Sequence, residues 1–311
     1  MKTAFLFAGQ GSQAIGMGKE LCENFEAADS VFDQASDALG FDIKKMIWEG
    51  DTETLMITEN TQPAILTMSV AALRVVESLG IKPDVVAGLS LGEYTAHVAA
   101  GSLDFADAVP LVRKRGKYMQ EAVPLGVGGM AVILGMDEQA VRDICAYATA
   151  KGDGTVEPAN FNCPGQIAVA GKKEAVEHAI EIAKERGAKR AMALPVSAPF
   201  HTSFLKSAGE KLAVELEKVE FKELKVPLIT NVTGDYVKSS ADIKELLVRQ
   251  VSSPVMFEAS LRRMIADGVD TFIEMGPGKA LSGFVKKIDR SLNIYNVEDM
   301  ATFEKLKAAL A

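Results

Sequence analysis

Apolar positions along this chain follow two rhythms. Short unbroken runs, AFLF (Ala4–Phe7), VVAG (Val85–Gly88) and TFIEM (Thr271–Met275), each lead into a glycine-containing turn. Between them lie longer stretches with apolar residues at helical spacing, such as TQPAILTMSVAALRVVESLG, which stops at Gly80. Short unbroken runs suit strands buried on both faces of a parallel sheet, and the longer period suits helices covering that sheet. The pattern predicts a strand over Thr3–Ala8, one helix over Gly18–Ala38 and a strand at Val85–Gly88. Further on it predicts a helix after His201, a strand at VPLITNV (Val226–Val232) and helices over Asp242–Val248 and Met256–Gly268. TFIEMG is the last strand, ending the pattern in the loop GPGKA.

The stretch from Val123 to Leu194 alternates differently. After Pro124 and the run GVGG come a strand MAVIL, a helix DEQAVRDICAYA capped by Asp137, and two short strands, TVEPAN and QIAVAG. The helix KKEAVEHAIEIAKERG and the strand AMALPV close the series. The order βαββαβ is that of a ferredoxin-like unit. The expected fold is therefore α/β: a parallel sheet flanked by helices over residues 1–123 and 197–311, interrupted by a small ferredoxin-like domain over residues 124–196.

Composition narrows the function classes. With 311 residues, 48% of them hydrophobic, the chain has material for a large core and more than one domain. Lys and Arg number 34 against 42 Asp and Glu, a formal charge of -8, which argues against broad nucleic-acid binding. Cys22, Cys145 and Cys163 are widely spaced, form no C-x-x-C pair and suit a reducing compartment. Gln10 and Gln13 interrupt the apolar N-terminus early, so it reads as a buried strand and not a signal peptide. No run approaches the roughly 18 uncharged apolar residues of a membrane span. A cytoplasmic protein with no membrane or nucleic-acid partner is expected.

Chemistry enters at GLSLG (Gly88–Gly92), a G-x-S-x-G pattern between a predicted strand and a predicted helix. A serine on such a turn is exposed for attack, glycines relieve the crowding, and the next peptide N–H groups point from a helix N-terminus toward a developing oxyanion. Ser90 then needs a base. His178 lies among charged residues in the small domain, and His97 sits two helical turns beyond Ser90, about 10 Å away, where a structural role fits better. His201, in the proline-stiffened loop PVSAPFHTSFL, is the preferred base. No acidic residue between Ser90 and His201 stands out as the third member of a triad; a backbone carbonyl could orient the imidazole instead.

The motifs FAGQGSQ (Phe7–Gln13), TQPA (Thr61–Ala64), GLSLGEY (Gly88–Tyr94), VRKRG (Val112–Gly116), EPANFNCPGQIAVAG (Glu157–Gly171), APFH (Ala198–His201), LVRQVSSPV (Leu247–Val255) and EMGPG (Glu274–Gly278) follow one another in order. Together they resemble the malonyl-CoA:acyl-carrier-protein transacylase family over nearly the full length. The resemblance implies an α/β-hydrolase-like core with a ferredoxin-like insertion, and transfer of a malonyl group through a malonyl-serine intermediate for fatty acid biosynthesis. It implies Ser90 as nucleophile, His201 as base and acid, the N–H groups of Gln10 and Leu91 as oxyanion hole, and the Gln250 carbonyl as the group orienting His201. Arg115 would hold the malonyl carboxylate, and Asn160 and Asn162 would support the cleft. In related polyketide enzymes an aromatic at the place of Phe200 goes with malonyl over methylmalonyl selection. The family usually has histidine where this chain has Leu89, a change expected to touch substrate contacts and rate but not mechanism.

The chemistry agrees with these roles: a buried carboxylate needs a partner, and arginine supplies a rigid two-pronged one. The implied partners are malonyl-CoA and an acidic acyl carrier protein, bound transiently by a monomer, with no metal or organic cofactor. Lys279, Lys286, Lys287 and Arg290, with Lys189 and Arg190, form a candidate docking patch. An esterase or thioesterase would use the same Ser90–His201 pair, and a methylmalonyl-type acyltransferase the same scaffold. A binding module without catalysis is the remaining alternative.

Overall fold

The computed structural model describes residues 1–196 and 198–310, so the expected domain boundary at 197 and the terminal residue 311 lie outside the described residues. Its strands are β1 (Thr3–Phe7), β2 (Val85–Gly88), β3 (Gly128–Leu134), β4 (Val156–Cys163), β5 (Gln166–Lys172), β6 (Arg190–Ala193), β7 (Thr271–Met275) and β8 (Asn293–Val297). β1, β2, β7 and β8 form a parallel sheet in the order β2-β1-β7-β8. Every residue of β1, β2 and β7 is buried, as their apolar runs require. The helix Thr58–Glu77 lies so deep that only Glu59, Arg74 and Glu77 escape burial, although its composition reads as amphipathic.

The second sheet is antiparallel, in the order β4-β5-β3-β6, with the helices Glu138–Ala150 and Lys173–Glu185 packed on it around a separate core that includes Ile133, Ile144, Val169 and Ile182. Asp137 caps the first of these helices, accepting from the Ala140 N–H at 2.8 Å. This is the expected small subdomain inserted in the parallel-sheet core. The lobes are stitched at β4, where the Phe161 N–H donates to the Val255 carbonyl at 2.8 Å and the Val255 N–H to the Ala159 carbonyl at 2.9 Å. That stitch holds Asn160 and Asn162 at the junction.

Three expectations need correction. The single helix over Gly18–Ala38 is two, Lys19–Asn24 and Glu26–Leu39, broken at Phe25, whose extended backbone (φ -134°, ψ 114°) lets its ring pack edge-on against Phe303. VPLITNV is not a strand. Leu228 and Ile229 make only isolated bridges, because Pro227 has no N–H to give and Asn231 is committed elsewhere. The pattern also continues past GPGKA through the helix Ala280–Ile288, β8 and the helix Met300–Leu310. β8, NIYNV, is a half-exposed edge strand, which is why its polar residues conceal it. No helix among the described residues is long and apolar enough to cross a membrane.

Candidate active site

β2 ends at Gly88 and the helix Gly92–Ala99 starts four residues later, which leaves Ser90 on a tight elbow. Neither flanking glycine needs a left-handed φ; the constraint is proximity. A Cβ on Gly88 would strike the Gly92 carbonyl, and one on Gly92 would strike the Phe7 carbonyl of β1. The left-handed residue is Ser90 itself, with φ 53°, a conformation that costs about 1–3 kcal/mol unless its surroundings hold it. Asn231 does so: its Oδ1 accepts from the Ser90 N–H at 2.6 Å, and its Nδ2 donates to the Gly88 carbonyl at 2.6 Å. Sequence reasoning missed Asn231, since VPLITNV reads as an ordinary strand.

His201, with φ 61°, is the other non-glycine left-handed residue among those described. Its Nε2 lies 2.7 Å from Ser90 Oγ and its Nδ1 2.9 Å from the Gln250 carbonyl oxygen. A carbonyl can only accept, so Nδ1 carries the proton and Nε2 faces Oγ with a lone pair. That carbonyl is available because Gln250 sits in the last turn of the helix Ile243–Val251, where main-chain oxygens lack intrahelical donors. Burial, helped by the nearby Arg115 charge, pushes the His201 pKa down to about 4, so the imidazole is neutral near pH 7.

Arg115, on the helix Phe105–Glu121, is 1% exposed. Its guanidinium donates to Gln62 Oε1 at 2.7 Å, to Gln250 Oε1 at 2.9 Å and to Ser90 Oγ at 3.1 Å, and lies over the Tyr94 ring. It makes no ion pair among the described residues, a costly state for a buried cation and one that favours an anionic ligand. Its neighbours point outward: Arg113 stacks on Phe41 and Lys114 pairs with Glu215 at 2.7 Å. Gln62, inside TQPA, was not singled out in the sequence, because a glutamine within an apolar helix gives no sign of which way it points.

These groups open on a cleft of about 590 Å³ between the lobes. Gln10, Leu89, Ser90 and Arg115 line it from the core, Met130, Asn160, Asn162 and Ala168 from the small subdomain, and Phe200 and His201 from the loop between them. The N–H groups of Gln10 and Leu91 have no hydrogen-bond acceptor among the described residues, and Leu91 caps the helix Gly92–Ala99. Both donors are thus left without a partner among the described residues, and Gln10 lines the same cleft as Ser90. His97 is elsewhere: its Nδ1 lies 2.8 Å from Ser102 Oγ, and burial pushes its pKa down to about 3. His178 faces Asp153 on the small subdomain. The site therefore brings together the Ser90 hydroxyl, a neutral imidazole and a guanidinium with no ion-pair partner among the described residues, a set suited to acyl transfer from a thioester with an anionic tail.

The Acyl transferase domain family matches residues 4–306. The malonyl CoA-acyl carrier protein transacylase of Bacillus subtilis is 53% identical over 303 residues, covering 97% of this chain and 95% of the relative. A crystal structure of the malonyl CoA-acyl carrier protein transacylase from Clostridium perfringens superposes with a TM-score of 0.96 at 48% identity, covering 100% of this chain and 97% of that one. A malonyl-transacylase solved in complex with a type II polyketide acyl-carrier protein superposes at 0.95 with 42% identity, each chain 98% covered.

Proposed function

The chain belongs to the malonyl-CoA:acyl-carrier-protein transacylase family, and from that premise we propose how its residues divide the work of moving a malonyl group from coenzyme A to the carrier's phosphopantetheine thiol. The reaction is ping-pong. Ser90 Oγ attacks the thioester carbonyl while His201 Nε2 takes its proton, and the N–H groups of Gln10 and Leu91 receive the oxyanion. Collapse expels the coenzyme A sulfur, which takes the proton from His201 and leaves a malonyl-serine ester. The carrier thiol then gives its proton to His201 and attacks that ester, and Ser90 regains the proton as it departs.

The observation that carries the substrate assignment is the contact of Arg115 with Ser90 Oγ at 3.1 Å. The malonyl carboxylate lies two carbons beyond the ester carbonyl, within reach of a guanidinium already touching the attacking oxygen. A neutral acyl group would leave that buried cation unpaired, which disfavours a general esterase. Asn160, Asn162 and Phe200 shape the far wall, and Leu89 adds an apolar contact. Residues 124–196 are taken as the bounds of the inserted domain. Incubation with malonyl-CoA followed by mass mapping tests the reading: the expected result is a malonyl adduct on Ser90 discharged faster by carrier thiol than by water. Rapid hydrolysis with no adduct would favour the esterase.

The carrier's acidic face docks, on this reading, at a basic groove of about 310 Å³ between the helices Ala280–Ile288 and Met300–Leu310. Lys279, Ser282, Gly283 and Lys286 share one helix face along it, and Lys305 stands opposite. None of these lysines has an ion-pair partner among the described residues. Gly278, just before Lys279, packs beside Ser12 of the loop whose Gln10, Gly11 and Gln13 line the cleft. Lys287 instead donates to Gln166 Oε1 at 2.8 Å, tying the basic helix to the small subdomain and the side where Lys189 lies over Gly135.

A further inference from the structure

Glu93 follows the elbow in the first turn of its helix, is wholly buried, and takes no part in the cycle above. Its Oε2 accepts from the Asn231 N–H at 2.9 Å and from Gln250 Nε2 at 2.8 Å. The same Gln250 amide donates to the Ser90 carbonyl at 3.0 Å and accepts from Arg115 at 2.9 Å, while its main-chain oxygen receives His201 Nδ1. One glutamine thus bridges a buried carboxylate and a buried guanidinium that form no direct ion pair. The two charges balance at a distance, both on side chains that are buried.

A substrate carboxylate upsets that balance. Once it pairs with Arg115, the site holds two anions and one cation, and a proton on Glu93 restores neutrality. The other ionisable groups facing it do not compete near pH 7. His201 is neutral, with its pKa down at about 4; on the helix of Glu93 itself, His97 lies at about 3, and burial pushes Tyr94 up. Arg115 is the cation that faces it from the helix Phe105–Glu121. Burial pushes the Glu93 carboxyl up to about 7, against the pull of its hydrogen-bonding neighbours Asn231, Gln250 and Thr230 and of Arg115.

We propose that Glu93 is the buried counter-ion of Arg115 and a proton-linked positioning residue, which takes up a proton from solvent as the malonyl carboxylate binds. The proposal rests on Arg115 holding that carboxylate. It makes malonyl affinity fall as pH rises above the free-state value, because each binding event must then draw a proton from a scarcer supply. Acetyl-CoA, which lacks the carboxylate, draws none. Glu93→Gln keeps the bonds from Asn231 and Gln250, since both fall on one oxygen that a glutamine carbonyl can replace, and its amide nitrogen takes the place of Oε1, which has no partner among the described residues.

The test is calorimetry of malonyl-CoA and acetyl-CoA binding to the Ser90→Ala enzyme, in buffers of different ionisation enthalpy. The phosphates are common to both thioesters and cancel in the comparison. At pH 7.5 malonyl-CoA should take up about three-quarters of a proton more than acetyl-CoA. With Glu93→Gln added, that excess should vanish, and malonyl-CoA should bind about tenfold tighter at pH 8 than in the parent, with no pH dependence of its own. Tight malonyl-CoA binding with no excess uptake, or with an excess that survives Glu93→Gln, overturns the proposal and leaves Glu93 as a hydrogen-bond acceptor that steadies Gln250. Malonyl-CoA binding no tighter than acetyl-CoA overturns the reading of Arg115, and this proposal with it.

Discussion

His201 Nε2 lies 2.7 Å from Ser90 Oγ, and both residues adopt left-handed backbone that glycine would ordinarily occupy. The imidazole is steadied by a carbonyl oxygen and not by a carboxylate, so nothing on its far side stabilises the imidazolium as a negative charge would. Burial and Arg115 both oppose protonation, which explains the pKa of about 4. Below that value His201 is protonated and cannot take the serine proton; above it the base is ready. The rate of Ser90 malonylation should therefore rise with pH through an inflection near 4 and stay flat, as far as His201 is concerned, through neutrality. Rapid-quench acylation rates across that range check this, and an inflection near the ordinary histidine value of about 6.5 would contradict it.

Replacing Arg115 with alanine separates substrate recognition from chemistry. Loss of a buried, charge-assisted pair costs about 2–5 kcal/mol, so malonylation of Ser90 should fall by about 10²-fold or more. Acylation by acetyl-CoA should hold or increase, because the guanidinium contributes nothing to a neutral acyl group. Parallel kcat/KM measurements on the two thioesters decide the matter. If both fall alike, Arg115 serves mainly to hold Gln62 and Gln250 in position, and the carboxylate is bound elsewhere.

What could be read from the sequence was local. β1, β2 and β7 announce themselves because burial on both faces demands uninterrupted apolar runs. Ser90 was legible because the glycines that permit its turn stand two residues to either side. Asn231 was not, for it reaches the Ser90 N–H across 141 positions of chain, and nothing near it in sequence records that contact. Glu93 and Gln62 lay within quoted motifs, yet their roles depend on which groups the fold brings to them. Phe25 breaks a helix for the same kind of reason, since its ring packs on Phe303, far along the chain.

The basic groove offers a test in which the chemistry should not change. Converting Lys279, Lys286 and Lys305 to glutamate reverses the charge of a surface that shares no residue with the Ser90 cleft. The KM for acyl carrier protein should rise about tenfold or more, and its salt dependence should weaken, because exposed charges act mainly on encounter. The KM for malonyl-CoA and the rate of Ser90 malonylation should remain as they were. Equal effects on both substrates would move the docking site elsewhere, and no effect on either would do the same.

Two glycines with opposite surroundings test the elbow itself. A Cβ at Gly92 would meet the main-chain oxygens of Phe7, the last residue of β1, and of Ala8 just beyond it, and main chain held in the central sheet cannot swing aside. Gly92→Ala should therefore destabilise the protein by about 3 kcal/mol or more, and a surviving fold should carry a displaced Ser90 with slower acylation. Gly283 lies mid-helix, and a Cβ there would meet nothing within 4 Å. Gly283→Ala should stabilise by about 1 kcal/mol through helix propensity, with acylation unchanged. Denaturant midpoints of the two variants give the comparison directly. A Gly92→Ala protein as stable and as readily malonylated as the parent would mean that the elbow tolerates a side chain, and that the close approach of the helix to β1 is not what fixes Ser90.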